Sequence, residues 1–189
     1  MSPPDEDDAV IIRRSLREPE RFAVIFDRHA PHIMRYLVHR LGRQVADDLV
    51  AETFLVAFGT RSRYDLDRPD ARPWLYGIAT NLVRRRQRDD GREYRLRAAI
   101  VPEPNVDGHA DRVVEQVTAA AMNQLLGAVL AELSSGDRDV LLLVAWEHLT
   151  YDEVAQALDI PVGTVRSRLS RARRQVRAAL VVKESVNRG

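Results

Sequence analysis

Apolar residues recur along this chain at three- and four-residue intervals, the beat of amphipathic helices. Residues 1–18 read as a polar, partly disordered lead-in. From about 19 to 41, Phe22, Ile25, Phe26, Ile33, Tyr36, Leu37 and Leu41 fall on one stripe; Pro31 marks a break or a new first turn and Gly42 an end, so one broken helix or two stacked helices are expected. A helix over about 44–59 turns Val45, Leu49, Val50, Phe54, Ala57 and Phe58 inward and Asp47, Asp48 and Glu52 outward. "TRSRYDLDRPD" reads as loop. After it the beat resumes through Trp74, Leu75, Ile78, Ala79, Leu82 and Val83, leaving Asn81, Arg84, Arg85 and Arg88 to face elsewhere.

From about residue 92 the period is lost, and "VPEPNVDGHAD" has the composition of a linker. Helical spacing returns over 119–133, with Met122, Leu125, Leu126, Val129, Leu130 and Leu133 inward. Ser134 or Ser135 can then cap the apolar stretch "GDRDVLLLVAWEHL". In "TYDE", Thr150 and Glu153 stand at capping-box spacing, predicting a short helix that buries Val154, Ala155 and Leu158 and stops near Asp159 and Ile160. Pro161 suits the first turn of a last helix whose inner stripe is Val165, Leu169, Ala172, Val176 and Leu180. The pattern predicts an all-α protein of two helical domains joined by a flexible linker: 19–95, a linker over 96–118, 119–182, and a tail over 183–189. The second domain ends in a helix-turn-helix.

The last helix carries the first chemical signal. Ser167, Ser170, Arg171 and Arg174 lie opposite its apolar stripe, Arg166, Arg168, Arg173 and Arg177 line the flanks, and no acid interrupts residues 160–182. A basic run is ordinarily a solvated face, and a chain in which 28 of the 29 basic residues are arginine could owe it to composition. Small hydroxyls among the arginines and a capped helix just upstream instead fit a recognition helix in a DNA major groove, where arginine suits guanine edges and phosphates.

The formal net charge of +1 hides a segregation. "DEDD" opens the chain, residues 84–97 hold seven arginines against three acids, 102–115 lean acidic, and 161–177 are purely basic. Two separated basic segments suggest two nucleic-acid contacts. The earlier one follows a loop and is flanked by Tyr64, Trp74 and Tyr76, a combination that can hold a strand by phosphate contacts and base stacking; the same aromatics also fit a core. The absence of cysteine removes disulfides and thiolate zinc sites. With no signal core and no apolar run of membrane-spanning length, a cytoplasmic protein without membrane insertion is expected. Histidines 29, 32, 39, 109 and 148 form no ligand set, and no phosphate-binding glycine motif or nucleophile elbow occurs, so neither catalytic residues, a bound metal nor a cofactor is indicated. The acids Asp47, Asp48 and Glu52 leave open a solvated face, a protein-docking face or, with least support, a metal-dependent hydrolase.

Four stretches together, "FDRHAPHIMRYLVHRLG", "ADDLVAETFLVAF", "PWLYGIATNLVRRRQR" and "LTYDEVAQALDIPVGTVRSRLSRAR", resemble the extracytoplasmic-function sigma factors of bacterial RNA polymerase, over about residues 19–182. The resemblance implies a non-enzymatic promoter-specificity subunit that binds the polymerase core, recognises minus 35 and minus 10 promoter elements and promotes melting. On that likeness the first domain corresponds to sigma region 2, with Asp47, Asp48, Leu49, Glu52 and Phe54 docking on the clamp helices of the beta prime subunit. Arg63, Tyr64, Arg72, Trp74, Asn81, Arg84, Arg85 and Arg88 would serve the minus 10 strand. The second domain corresponds to sigma region 4, near the flap of the beta subunit, with Thr164, Arg166, Ser167, Arg168, Ser170, Arg171 and Arg174 at the minus 35 duplex. The resemblance also implies a separate anti-sigma partner. Two rival readings are a free-standing helix-turn-helix regulator of duplex DNA, which would need a dimerisation surface, and an interaction protein that sequesters a partner through its acidic helix.

Overall fold

Helix α1 (Asp8–Ser15) and a 3-10 turn (Pro19–Phe22) lead into α2 (Ala23–Leu41), which is followed by α3 (Arg43–Thr60). A 3-10 turn (Arg61–Arg63) and a loop separate α3 from the long α4 (Arg72–Ile100). The second half holds a helical stretch over 127–132, here α5, then α6 (Ser135–Ala145), α7 (Tyr151–Leu158) and α8 (Val162–Val186). This is a computed structural model that describes residues 6–100 and 127–186, and among them no strand occurs.

The N-terminus departs from the expected lead-in. Residues 8–15 form a helix with Ile11 and Ile12 fully buried beneath α2. Four apolar residues in a row, between acids and arginines in so short a segment, show no helical period that would mark its buried face. Pro31 does not break α2: the helix runs through it for 19 residues, and the 3-10 turn at Pro19 supplies the irregular entry instead. Between α2 and α3 a single residue, Gly42, turns the chain at φ 81° and ψ 164°, a conformation closed to side chains bearing a Cβ. Helix α4 continues to Ile100, through the start of the expected linker; the remainder of that linker and residues 119–126 of the next predicted helix lie outside the described residues.

The α2–α3–α4 core is built on Ile25, Ile33, Tyr36, Leu37, Leu75 and Val83, all at or near zero exposure. Tyr36 sets its ring edge-on to Tyr76 at 5.4 Å and shares a hydrogen bond with Thr80 at 2.8 Å. In the second half Val140, Leu143, Val154, Val165 and Leu169 close a smaller core among α6, α7 and α8. The two cores are continuous, and α7 lies against α4 so closely that a Cβ on Gly77 would sit 2.5 Å from the carbonyl oxygen of Ala157.

Candidate nucleic-acid interface and docking face

The geometry of α8 is set by local rules. Ser134 caps α6 by accepting the Asp137 N–H at 3.2 Å. Thr150 and Glu153 complete a reciprocal capping box at the start of α7, with the Thr150 N–H donating to the Glu153 carboxylate at 2.7 Å and the Glu153 N–H to the Thr150 hydroxyl at 3.3 Å. Asp159 then takes a left-handed conformation (φ 51°), which an aspartate tolerates better than most residues, and the Ile160 N–H closes the turn on the Ala155 carbonyl at 3.0 Å. Burial of Val165, Leu169 and Ala172 fixes the rotation of α8, and the carbonyl of Pro161 accepts its first bonds.

The outer face of α8 divides in two. Arg166, Ser170, Arg173, Arg174 and Arg177 line a shallow concavity with Tyr151 at its edge. Ser167 is exposed beside them, its hydroxyl turned back to the Thr164 carbonyl at 3.0 Å. Arg168 instead lies against the backbone at Gly136, and Arg171 reaches the buried Asp137 carboxylate at 3.6 Å while remaining half exposed. Thr164 and Arg168 are half-buried. Four cations without an acid between them make the concave side a surface suited to a polyanion.

The loop before α4 is stapled by its own side chains. Tyr64, buried, donates its hydroxyl to the Arg68 carbonyl at 2.7 Å and packs at a tilt against half-buried Trp74 with ring centroids 5.0 Å apart. Asp70 accepts from the N–H and the guanidinium of Arg72, both at 2.8 Å. Burial, helped by the nearby Asp8 and Asp70 carboxylates, pushes the Tyr64 hydroxyl well above the ordinary phenol range, so it stays a donor. Of the residues expected at a strand, Arg63, Asn81, Arg85 and Arg88 are exposed, whereas Tyr64, Trp74 and Arg72 are engaged within the loop. Tyr76 belongs to the core. On α3, Asp47, Asp48 and Glu52 point to solvent, while Leu49 and Phe54 are 5% exposed and pack inward, Phe54 against Phe26 at 4.8 Å. The apolar residue that shares the acidic face is Leu55, 71% exposed, which the inward stripe predicted from the sequence passes over.

Arg84 is placed where periodicity did not foresee. Its guanidinium holds the fully buried Asp139 of α6 at 2.6 Å, and the other side of Asp139 faces Arg40 of α2, 2% exposed, also at 2.6 Å. The Arg40 approach is an ion pair without hydrogen-bond alignment: all three of its guanidinium nitrogens lack a hydrogen bond. A turn away, the Tyr76 hydroxyl and Arg35 converge on the carboxylate of Glu147, and His39 packs at a tilt against Trp146 with ring centroids 4.6 Å apart. Burial pushes the Tyr36 hydroxyl up to about 12 and, together with Glu147, raises that of Tyr76 further, so both stay neutral donors across this junction.

Two family models match the chain: "Sigma-70 region 2" over residues 25–93 and "Sigma-70, region 4" over 123–176. The ECF RNA polymerase sigma factor SigC of Mycobacterium tuberculosis is 34% identical over 143 residues, spanning 75% of this chain and 73% of its own. Among solved structures, CnrH in complex with the cytosolic domain of CnrY has a TM-score of 0.67 at 24% identity, covering 94% of this chain and 99% of that one. Sigma factor RpoE in complex with the anti-sigma factor NepR, from Bartonella quintana, has a TM-score of 0.64 at 23% identity, covering 85% and 97%. A capped helix-turn-helix with a cationic outer face, set beside a three-helix unit with an acidic one, therefore belongs to the extracytoplasmic-function family of RNA polymerase sigma factors, as a promoter-recognising subunit. No described helix is long and apolar enough to cross a membrane.

Proposed function

We propose that the chain is a dissociable, non-catalytic specificity subunit of bacterial RNA polymerase, acting in the cytoplasm, in which α8 reads the minus 35 duplex. The loop over 61–71 and the exposed side of α4 hold the minus 10 strand. The observation that carries the reading is the rotation of α8: burial of Val165, Leu169 and Ala172 leaves Arg166, Ser170, Arg173, Arg174 and Arg177 as one acid-free concave face. Arg166, Ser167 and Ser170 are placed for base edges, and Arg173, Arg174 and Arg177 for phosphates. Arg171 has two partners to choose between, Asp137 or DNA. Asn81, Arg85 and Arg88 are open to the strand, and Arg84 joins them once Asp139 lets go. The core docks on Asp47, Asp48, Glu52 and Leu55; Leu49 and Phe54 support that face from within. RpoE was solved with an anti-sigma factor, and the same class of partner, covering the docking face, suits this chain.

Two domains are needed because a spacer of about 17 base pairs separates the elements by roughly 55 to 60 Å. The test is run-off transcription by bacterial core polymerase on a randomised promoter library, with the protein, without it, and with Arg166→Ala or Asp48→Ala. Promoter selection that requires the protein, relaxes at the minus 35 element with Arg166→Ala and weakens overall with Asp48→Ala supports the reading. A protein that shifts duplex DNA alone and adds no promoter specificity to core would replace it with the free-standing regulator.

A further inference from the structure

Helix α1 touches the loop over 61–71 at both of its ends. Where the chain enters the loop, the Arg61 guanidinium lies over the Phe58 ring at 3.8 Å and donates to the Ser15 carbonyl, the last residue of α1, at 3.4 Å. Where the chain leaves it, the Asp8 N–H donates to the Pro69 carbonyl at 3.0 Å, and the Asp8 carboxylate accepts the Ala71 N–H at 2.9 Å. That carboxylate is 3% exposed and also holds Arg28 at 2.5 Å and His29 at 2.7 Å, both on α2. One buried side chain thus joins three elements: the start of α1, the middle of α2 and the first residue before α4.

Packing alone would not call for this. A buried ion pair is weak as a source of stability compared with apolar residues of the same volume, but it has one geometry, which apolar contacts lack. A cation site is the other use for such a cluster, since donor atoms of Asp8, His29 and Asp70 lie within 4.8 Å of one another. The Arg28 and Arg72 guanidinium groups, bonded to Asp8 and Asp70 respectively, already supply the positive charge there.

We propose that Asp8 is a positioning residue for promoter melting: with Arg28 and His29 it mounts the exit of the 61–71 loop, so that the exposed tip over 65–69, braced from within by the Tyr64–Trp74 contact, meets the minus 10 strand in one register. This rests on the reading of that loop as the minus 10 reader. The mount acts through the Ala71 N–H and touches no nucleotide itself.

The test uses the full chain bound to core polymerase and a labelled single-stranded DNA carrying the minus 10 element selected by run-off, against a scrambled strand. Asp8→Asn keeps the volume but removes the charge and turns one of the two acceptor oxygens into a donor, so Arg28, His29 and the Ala71 N–H can no longer all be satisfied. Losing a hydrogen bond to a charged acceptor lowers the ratio of selected to scrambled affinity by about tenfold or more. Affinity for core and for a minus 35 duplex stays as in the parent, and amide exchange at residues 70–72 accelerates. Arg28→Gln, which removes the ion pair and leaves the Ala71 bond, gives a smaller change in the same direction and carries the test where Asp8→Asn folds poorly. Arg63→Ala, at an exposed position of the loop itself, separates the two ideas. If Arg63→Ala weakens minus 10 binding while neither mount variant changes selectivity, the mount is refuted and the loop reading survives. If none of the three has an effect, the loop reading fails and takes the mount with it. A parallel loss of core, minus 35 and minus 10 binding would make Asp8 a general fold residue and overturn the proposal.

Discussion

Asp139→Ala is the substitution with the largest expected consequence away from any DNA-facing surface. The carboxylate is fully buried between Arg40, itself 2% exposed, and Arg84, and Arg40 makes no hydrogen bond. Arg84 is 28% exposed and can turn to water; Arg40 cannot do so while α6 stays in place. Removing one partner of a buried pair costs about 3 to 5 kcal/mol, because the other charge is left without compensation. The chain avoids that penalty by letting α6 separate from α2 and α4, so the expected result is early loss of the junction with the α2–α3–α4 core intact. Trp146, in ring contact with His39 across the junction, reports this directly. Trp74→Phe leaves it as the single tryptophan, since the chain has two. In urea, the Trp146 emission change should precede the far-ultraviolet transition in Asp139→Ala and coincide with it in the parent. Adding Arg40→Met should restore most of the loss, since replacing both charges with apolar groups is close to neutral. Coincident transitions within about 1 kcal/mol of the parent, or no recovery in the double variant, would refute the argument that Asp139 compensates a buried arginine.

Three further outcomes are expected. Gly77→Ala drives a methyl group to 2.5 Å from the Ala157 carbonyl oxygen, so α7 must withdraw from α4 at a cost of about 1 to 3 kcal/mol, visible as faster amide exchange in α7. Thr150→Ala removes one arm of the capping box and should cost about 1 kcal/mol, read as a lower melting temperature of the α6–α8 half with no change in its DNA preference. Acid should release α1: burial pushes the Asp8 carboxyl up, but His29, the Ala71 N–H and Arg28 outweigh it and hold the group below its ordinary value. A depressed folded value means that the unfolded chain binds the proton first. The stabilisation is therefore complete above an unfolded value of about 3.9 and is lost as pH falls through the folded one. Amide exchange at residues 70 and 71 followed from pH 5 downward should show protection lost only below about pH 4.

How much of this was legible in the sequence depended on the range of the interaction. The caps at Ser134 and Thr150 and the stripe Val165, Leu169, Ala172 are local, set by residues three or four apart, and spacing alone places them. The inward stripe of α3 is equally readable: Leu49 and Phe54 belong to it and are buried, although the family likeness implies a docking role for both; the exposed apolar residue on that helix is Leu55. Asp8 to Ala71 and Arg40 to Asp139 are pairings across 63 and about a hundred residues, and no period records them. A signal for Asp139 did exist. It stands on the same helical face as Leu142 and Leu143, and an acid on an apolar stripe demands a distant cation. Arg40 carried no such mark, because an arginine near a helix end is ordinarily at the surface.

The Arg84–Asp139 contact gives the protein an internal rival for its own promoter. One of the cations proposed for the minus 10 strand is neutralised from within, so the strand gains Arg84 only in the fraction of molecules in which α6 has let go. The affinity that this contact adds scales with that fraction, at about tenfold per 1.4 kcal/mol of junction stability. Substitutions at Gly77, Asp139 or Glu147 would therefore raise or lower transcription across every target promoter together. They would act as a volume control on the regulon, separate from the residues of α8 that choose its members.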